Sequence, residues 1–402
     1  MANDTHSVGF YAAELLDKTA ERKPNKTAII AKEEELTFAA LNQRVHALAG
    51  QLQQEGIRQG DRVGVLLPNS TAIPLTYFAT QKIGAVTVIL DARLKGIELQ
   101  NVLTDADLKL LVVHSQLLPE VEEVFKAMAR VPLWIVGAAG ERSFETKFAA
   151  PATSLSLPKL KPGDDALILY TSGTTGEPKG VVLSYHNLTQ YPAVMGDMGV
   201  TDSDTMRGCI LPMSHIVGPI VCNEVAEKGY TLVIFDQFNP ITLLEGIHKH
   251  HVTVFEGVPI IFQLILGVKN LADYDTSSVK IAAMMGTSVP LPTSSAHRRR
   301  YSCSEPSHQT MRCGRVRFAT SITHCRRRWW RTYSGISGLA EPAGSRRVAA
   351  STATLSSRGI VVLMVTMVAR SAPVVGASAT IVDRWKVKFV CCAPRALSCL
   401  TL

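Results

Sequence analysis

Along residues 8–289, short apolar runs rich in β-branched residues alternate with stretches whose apolar positions recur every three to four residues. A continuous apolar run bounded by turn residues reads as a strand buried on both faces; the 3.6-residue period reads as a helix with one face on a core. Strands are predicted at 27–31, 62–67, 86–90, 108–113, 133–136, 166–170, 180–183, 231–235, 252–255 and 279–283, and helices at 37–54, 70–82, 116–129, 240–250 and 259–267. In the 37–54 segment Leu41, Val45, Leu48, Ala49 and Leu52 share one face, Thr37 is the predicted N-cap and Gly56 the stop. This alternation predicts a layered α/β fold with mostly parallel sheets flanked by helices, in more than one subdomain. Residues 149–162, rich in Ala, Ser, Pro and Lys, read as a connector between two lobes.

After Pro292 the pattern dissolves. Residues 297–300, 311–317 and 326–331 are clusters of Arg, Cys and Trp with neither period, and only 360–368 and 380–390 carry strand-like runs. Composition changes at the same place. The whole chain of 402 residues has a net charge of +8, which alone points to an anionic partner. Yet residues 1–296 hold 24 Lys+Arg against 31 Asp+Glu, and residues 297–402 hold 18 against 3. The basicity belongs to the tail, as do six of the eight Cys and three of the four Trp. With only Cys209 and Cys222 in the patterned part, a reducing cytoplasm is expected. No signal peptide is visible at the N-terminus, and the apolar run at 359–369 is too short to span a bilayer.

The segment that carries chemistry is ALILYTSGTTGEPKGVVLSYHNL, residues 166–188. A buried-type strand runs into Thr171, Ser172, Gly173, Thr174, Thr175 and Gly176, then into Pro178, Lys179 and a second strand. Glycines let backbone N–H groups converge and hydroxyls add donors, which suits a polyphosphate. No Gly-Lys-Ser/Thr closes the loop and a strand follows it, so it is not a Walker A loop. A polar hairpin turn is the plainer alternative.

At these residues the sequence resembles the adenylate-forming superfamily of AMP-dependent synthetases and ligases, which includes acyl-CoA synthetases, peptide-synthetase adenylation domains and luciferases. Residues 170–181 follow that family's phosphate loop almost letter for letter, and 36–70, Gly84-Ala85, 211–218 and 252–266 resemble family blocks in family order. The resemblance covers about the first 290 residues. Around Phe255 to Phe262 it is nearer to acyl-CoA synthetases of fatty or aromatic acids than to amino-acid adenylation domains.

The resemblance implies a two-step reaction. A carboxylic acid attacks the α-phosphate of ATP, supplied with Mg2+, to give acyl-adenylate and pyrophosphate; the thiol of coenzyme A then displaces AMP. It implies that Thr171, Ser172, Thr174, Thr175 and the backbone at Gly173 and Gly176 hold phosphates. Lys179 adds charge there or is a solvated loop cation. His215 matches a histidine beside the acyl and α-phosphate site, a core histidine being the alternative. Gly286, Thr287 and Ser288 resemble a turn lining the adenine and acyl pocket, or form a plain strand-exit turn. Phe255, Gly257 and Val258 line the acyl pocket or are ordinary core.

Beyond Pro292 the resemblance fails. The family's Gly-Tyr-Gly-x-Thr-Glu block, whose Glu binds Mg2+, its Tyr-x-Thr-Gly-Asp block, whose Asp holds the ribose, and its C-terminal domain with a catalytic Lys have no recognisable counterpart in residues 293–402. No metal ligand can be named. Gly338-Leu339-Ala340-Glu341 lacks the Thr and sits too far beyond Gly286. The chain therefore reads as an incomplete adenylate-forming N-terminal domain at 1–292, followed by an Arg-, Cys- and Ser-rich tail at 293–402 that is expected to fold poorly, the C-terminal domain being absent.

The simultaneous loss of motifs and period, with the rise in Arg, Ser, Cys and Trp, is what out-of-frame translation of GC-rich codons from about codon 293 would produce. An Arg-rich nucleic-acid binder would need basic and aromatic residues on a defined face, and the clusters have no repeating spacing. Cys303, Cys313, Cys325, Cys391, Cys392 and Cys399 form no C-x-x-C pair. The expected function is an AMP-forming acyl-CoA synthetase of impaired activity; the alternative is an inactive remnant with at most weak nucleotide binding. Expected partners are a small carboxylic acid, ATP and CoA, without nucleic acid or a transmembrane segment; the oligomeric state is left open.

Overall fold

A computed structural model describes residues 12–32, 34–149, 155–171, 178–189 and 201–285, together with the backbone of five short strands between 311 and 390. The chain divides into two compact units, the first built from residues up to Phe238, the second beginning at Asn239. The first unit runs α1 (Ala12–Arg22), β1 (Thr27–Ala31), β2 (Glu34–Thr37), α2 (Phe38–Gln54), β3 (Arg62–Leu66), α3 (Ala72–Ile83), β4 (Val86–Leu90), α4 (Gly96–Ala106) and β5 (Leu110–His114). It continues with α5 (Leu118–Val124), β6 (Leu133–Val136), α6 (Phe144–Ala149), β7 (Asp165–Thr171), β8 (Lys179–Ser184), β9 (Met206–Cys209), α7 (Val217–Lys228) and β10 (Thr231–Ile234).

Six strands form a sheet in the order β6-β5-β3-β4-β7-β8, parallel except for the edge strand β8. In the same unit β9, β10, β1 and β2 lie side by side, parallel except for β2. A parallel strand covered on both faces must feed two cores, which is why its sequence is a continuous apolar run. In β5, Leu110 and Val112 join a cluster with Leu41, Leu48 and Phe78, while Leu111 and Val113 join a second cluster with Val88, Leu103 and Val121.

Helix α3 is buried on every side, and its polar groups are satisfied inside the protein. Thr76 Oγ1 and Thr80 Oγ1 donate to the carbonyls of Ala72 and Thr76, Tyr77 Oη donates to Asn223, and Gln81 Nε2 donates to the Ala166 carbonyl. Lys82 reaches the carboxylate of Asp17 in α1 at 2.6 Å. Thr37 caps α2 as its sequence predicts, accepting from the Ala40 N–H at 3.2 Å, and Gly56 follows the helix at φ 88°.

The second unit contains α8 (Pro240–His250), β11 (Val254–Gly257), α9 (Pro259–Leu266) and β12 (Ile281–Met285), then β13 (Met311–Cys313), β14 (Val316–Phe318), β15 (Ala353–Leu355), β16 (Met364–Ala369) and β17 (Trp385–Val390). Strands β11, β12 and β16 are parallel and β17 pairs antiparallel with β16. The strand-like run at 360–368 overlaps β16 and that at 380–390 contains β17, whereas β13 to β15 pair antiparallel where the sequence shows no period.

Each predicted strand is present, shifted by at most about two residues. Strands β2 and β9 and helices α1, α4, α6 and α7 have no counterpart among the predicted elements, and the helix expected at 116–129 is confined to Leu118–Val124 after a 3-10 turn at Ser115–Leu117. The layered α/β architecture with mostly parallel sheets stands. Residues 155–164 run along the end of α2, where Gln53 donates to the Ser156 carbonyl at 2.7 Å and accepts from its N–H at 3.1 Å. They lead into β7, so this connector joins elements of one unit.

Candidate active site

In parallel α/β sheets the loops that follow the C-terminal ends of the strands share one edge, where ligands bind. In the first unit that edge of the six-stranded sheet carries Asn69 after β3, Asp91 after β4 and Thr171 at the end of β7; the loop from Ile210 to Ile216 follows β9 of the other sheet and is bonded to Asn69. Strands β7 and β8 form an antiparallel pair in which Thr171 opposes Lys179. The two residues bracket the turn, and both are exposed. Ser172, Gly173, Thr174, Thr175 and Gly176 lie outside the described residues. Upstream, Leu167, Ile168 and Leu169 are buried, so the strand pair is anchored in the core up to the mouth of the loop.

Tyr170 fixes that mouth. Its hydroxyl donates to Asp105 Oδ2 of α4 at 2.6 Å. Burial, reinforced by the neighbouring carboxylate, raises the phenol pKa well above its ordinary value, so Tyr170 remains a neutral donor. A Cβ on Gly180 would lie 3.3 Å from Ile168 and 3.4 Å from the Tyr170 ring, so glycine at this position gives the ring room.

His215 is exposed in the loop leading into α7. A 3.1 Å bond from its N–H to the Pro212 carbonyl and a 3.0 Å bond from the Gly218 N–H to its own carbonyl define a compact turn. Asn69 holds the base of this turn, donating to the carbonyls of Leu211 and Phe235 at 3.0 Å each and accepting from the Met213 N–H at 2.7 Å. Asp91 takes a forked contact from Arg93, at 3.0 Å from Nε and 2.6 Å from Nη2. That bond holds the Asp91 carboxyl below its ordinary pKa, and the nearby His215 adds a smaller pull in the same direction. Asn69, Asp91 and Arg93 escaped the sequence reading. The available signal was a polar residue directly after a buried strand, as in Leu66-Leu67-Pro68-Asn69 and Ile89-Leu90-Asp91.

The acyl-pocket candidates lie in the second unit. Phe255 is 5% exposed and stacks on Phe262 with ring centroids 5.5 Å apart. Gly257 is buried, and a Cβ there would meet Ile261 and Phe262 at 3.2 Å. Val258 is half-buried at the N-cap of α9. Gly286, Thr287 and Ser288 follow β12 directly and lie outside the described residues. Among the described residues no group of three or more His, Cys, Asp or Glu side chains is placed to hold a metal ion, and no helix is long and apolar enough to cross a membrane.

Comparison with known proteins gives a consistent picture. Residues 16–310 match the family described as "AMP-binding enzyme". The chain is 33% identical over 290 residues to feruloyl-CoA synthase of Amycolatopsis sp., covering 70% of this chain and 55% of that protein. It is 27% identical over 310 residues to a long-chain-fatty-acid–CoA ligase of Bacillus subtilis (strain 168), covering 69% and 55%. The chain thus spans about half the length of these curated relatives. Among solved structures, a long-chain-fatty-acid-CoA ligase (FadD1) from Archaeoglobus fulgidus superposes with a TM-score of 0.64 at 29% identity, covering 71% of this chain and 61% of that one. The inhibitor-bound N-terminal domain of FACL13 from Mycobacterium tuberculosis gives 0.65 at 26% identity, covering 70% and 71%. The Ser-Gly-Thr-Thr-Gly segment between β7 and β8, the layered sheets and a match over residues 16–310 lead to one conclusion: the chain belongs to the AMP-binding, adenylate-forming enzyme family and within it is acyl-CoA synthetase-like.

Proposed function

We propose that the chain carries the nucleotide- and acid-binding body of an AMP-forming acyl-CoA synthetase that takes a fatty or aromatic carboxylic acid. The observation that carries this reading is the β7–β8 pair, which brings Thr171 and Lys179 opposite each other on either side of the Ser-Gly-Thr-Thr-Gly sequence. Relatives named for ferulic and long-chain fatty acids support the substrate class.

In the first step a carboxylate oxygen bonds to the α-phosphorus of ATP as the bond to pyrophosphate breaks. In the second, a thiol sulfur bonds to the acyl carbon and AMP leaves. Both steps bring anions together, so the protein's contribution is orientation and charge stabilisation. Backbone N–H groups and hydroxyls of residues 171–176 hold the phosphates, and Lys179 adds a positive charge. In this reading His215, in the loop after β9, is a donor toward the acyl and α-phosphate groups. Phe255, Gly257 and Val258 are the proposed acyl-pocket residues, and Gly286, Thr287 and Ser288 the proposed adenine and acyl contacts. Mg2+, in this reading, arrives with ATP as the MgATP substrate.

In this reading turnover is impaired, because residues 293–402 contain no recognisable Glu block or ribose-binding Asp block. Loss of such electrostatic groups costs on the order of 3 kcal/mol of transition-state stabilisation each. Carboxylate-dependent exchange of labelled pyrophosphate into ATP, with fatty and aromatic acids supplied, tests this. Exchange at background is expected, and robust exchange would overturn the impairment.

A further inference from the structure

We propose that Asn69 is a positioning residue for His215, acting through the backbone of the 211–213 turn, an inference that rests on the active-site reading of His215. The turn has no regular secondary structure, and its carbonyl and amide groups lie where β9 and β10 have ended. A half-buried loop keeps one conformation only if those backbone groups find partners. Asn69 supplies them from another sheet. Its amide donates twice, to Leu211 and Phe235, and its carbonyl oxygen accepts from Met213. The side chain thus extends the bonding of β9 and β10 past their ends and ties it to the end of β3.

The chemistry of this bridge is specific to asparagine. Aspartate lacks the two donors and would set a carboxylate against two carbonyl oxygens. Glutamine carries the amide one methylene farther out and cannot reach three fixed partners. Two residues past the Asn69-bonded Met213, His215 is held by its own N–H to Pro212. On the far side Gly218 packs against the Met213 carbonyl, where a Cβ would fall 2.1 Å from the oxygen. The histidine is therefore aimed by a turn fixed at both ends, and Asn69 is the end that comes from a different part of the sequence.

The test is histidine-selective NMR of the full chain, with His215 identified by the signal lost in His215→Gln, recorded with and without MgATP. Asn69→Ala and Asn69→Asp are compared with Gln53→Ala, which breaks a similar side chain-to-backbone clamp at Ser156, away from the strand-end edge. The expected result is that the ligand-free His215 resonances move or broaden in both Asn69 variants and keep their wild-type positions in Gln53→Ala. Unchanged ligand-free His215 resonances in the Asn69 variants would overturn the positioning role. Failure of the wild-type His215 signal to respond to MgATP counts instead against the active-site reading, and the ligand-free comparison still decides the role of Asn69. Should the Asn69 variants fail to fold, native-state hydrogen exchange of the Met213 amide decides. Protection like that of the neighbouring strand amides is expected, and exchange as fast as an open turn contradicts the clamp.

Discussion

Gly218 shows how much one residue settles at this site. A methyl group there would meet main-chain atoms of Met213, which cannot swing aside as a flexible side chain can, so the turn bearing His215 would have to shift. Gly218→Ala is expected to destabilise the fold by about 3 kcal/mol, read by denaturant titration. Tyr170→Phe is a milder case. It leaves the packing and removes the bond to Asp105, so a loss of about 1 kcal/mol is expected by the same measurement. The family motif after Tyr170 was legible because its information is local, glycines and hydroxyls in consecutive positions. Asn69 was not, because its partners lie 142 to 166 positions away. A lone Asn in a sequence says nothing about which carbonyls the fold will bring to it.

Elements were legible where apolar residues alone determine them. The buried strands of the six-stranded sheet, β3 to β7, read directly as apolar runs. Strand β9, Met206-Arg207-Gly208-Cys209, did not, because a buried Arg207 argues against a strand until Glu224 is seen beside it. Helix α4 has Lys95 at its N-cap, with no side-chain cap bond, which removes the start signal. Helix α1 is held by a polar cluster in which Asp17 takes bonds from Lys82 at 2.6 Å and His46 at 2.9 Å. Burial alone would raise the Asp17 pKa, and the bonds from His46 and Lys82 reverse this and lower it. A carboxyl depressed in the folded state contributes stability above its ordinary range and loses it as pH falls through the folded value. Thermal melting followed from neutral pH downward should show part of its acid decline disappear in Asp17→Asn. Lys82, with a side chain 3% exposed, should cost about 3 kcal/mol when replaced by Ala, because its charged partner is left behind.

At the scale of the whole molecule, the overall charge of +8 averages a mildly acidic body with an Arg-rich tail. The body is where family match, sheets and candidate site coincide. We propose that the tail's composition comes from a change of reading frame near codons 293 to 297. Translation of the coding DNA in all three frames is expected to yield a Gly-rich block ending in Glu and a later block bearing Asp downstream of that point; their absence from every frame would rule the frame change out. The tail also complicates ligand binding, since a run of arginines attracts any polyanion. ATP retention alone is therefore insufficient, and its dependence on the loop must be measured. Equilibrium dialysis of labelled ATP against the purified chain at physiological salt, with Lys179→Ala and Thr174→Val alongside, tests the nucleotide-binding body most directly. Saturable retention, weakened about tenfold by Lys179→Ala, is expected if the lysine makes a charge-assisted bond to phosphate. Retention indifferent to both substitutions, or none at all, would contradict it.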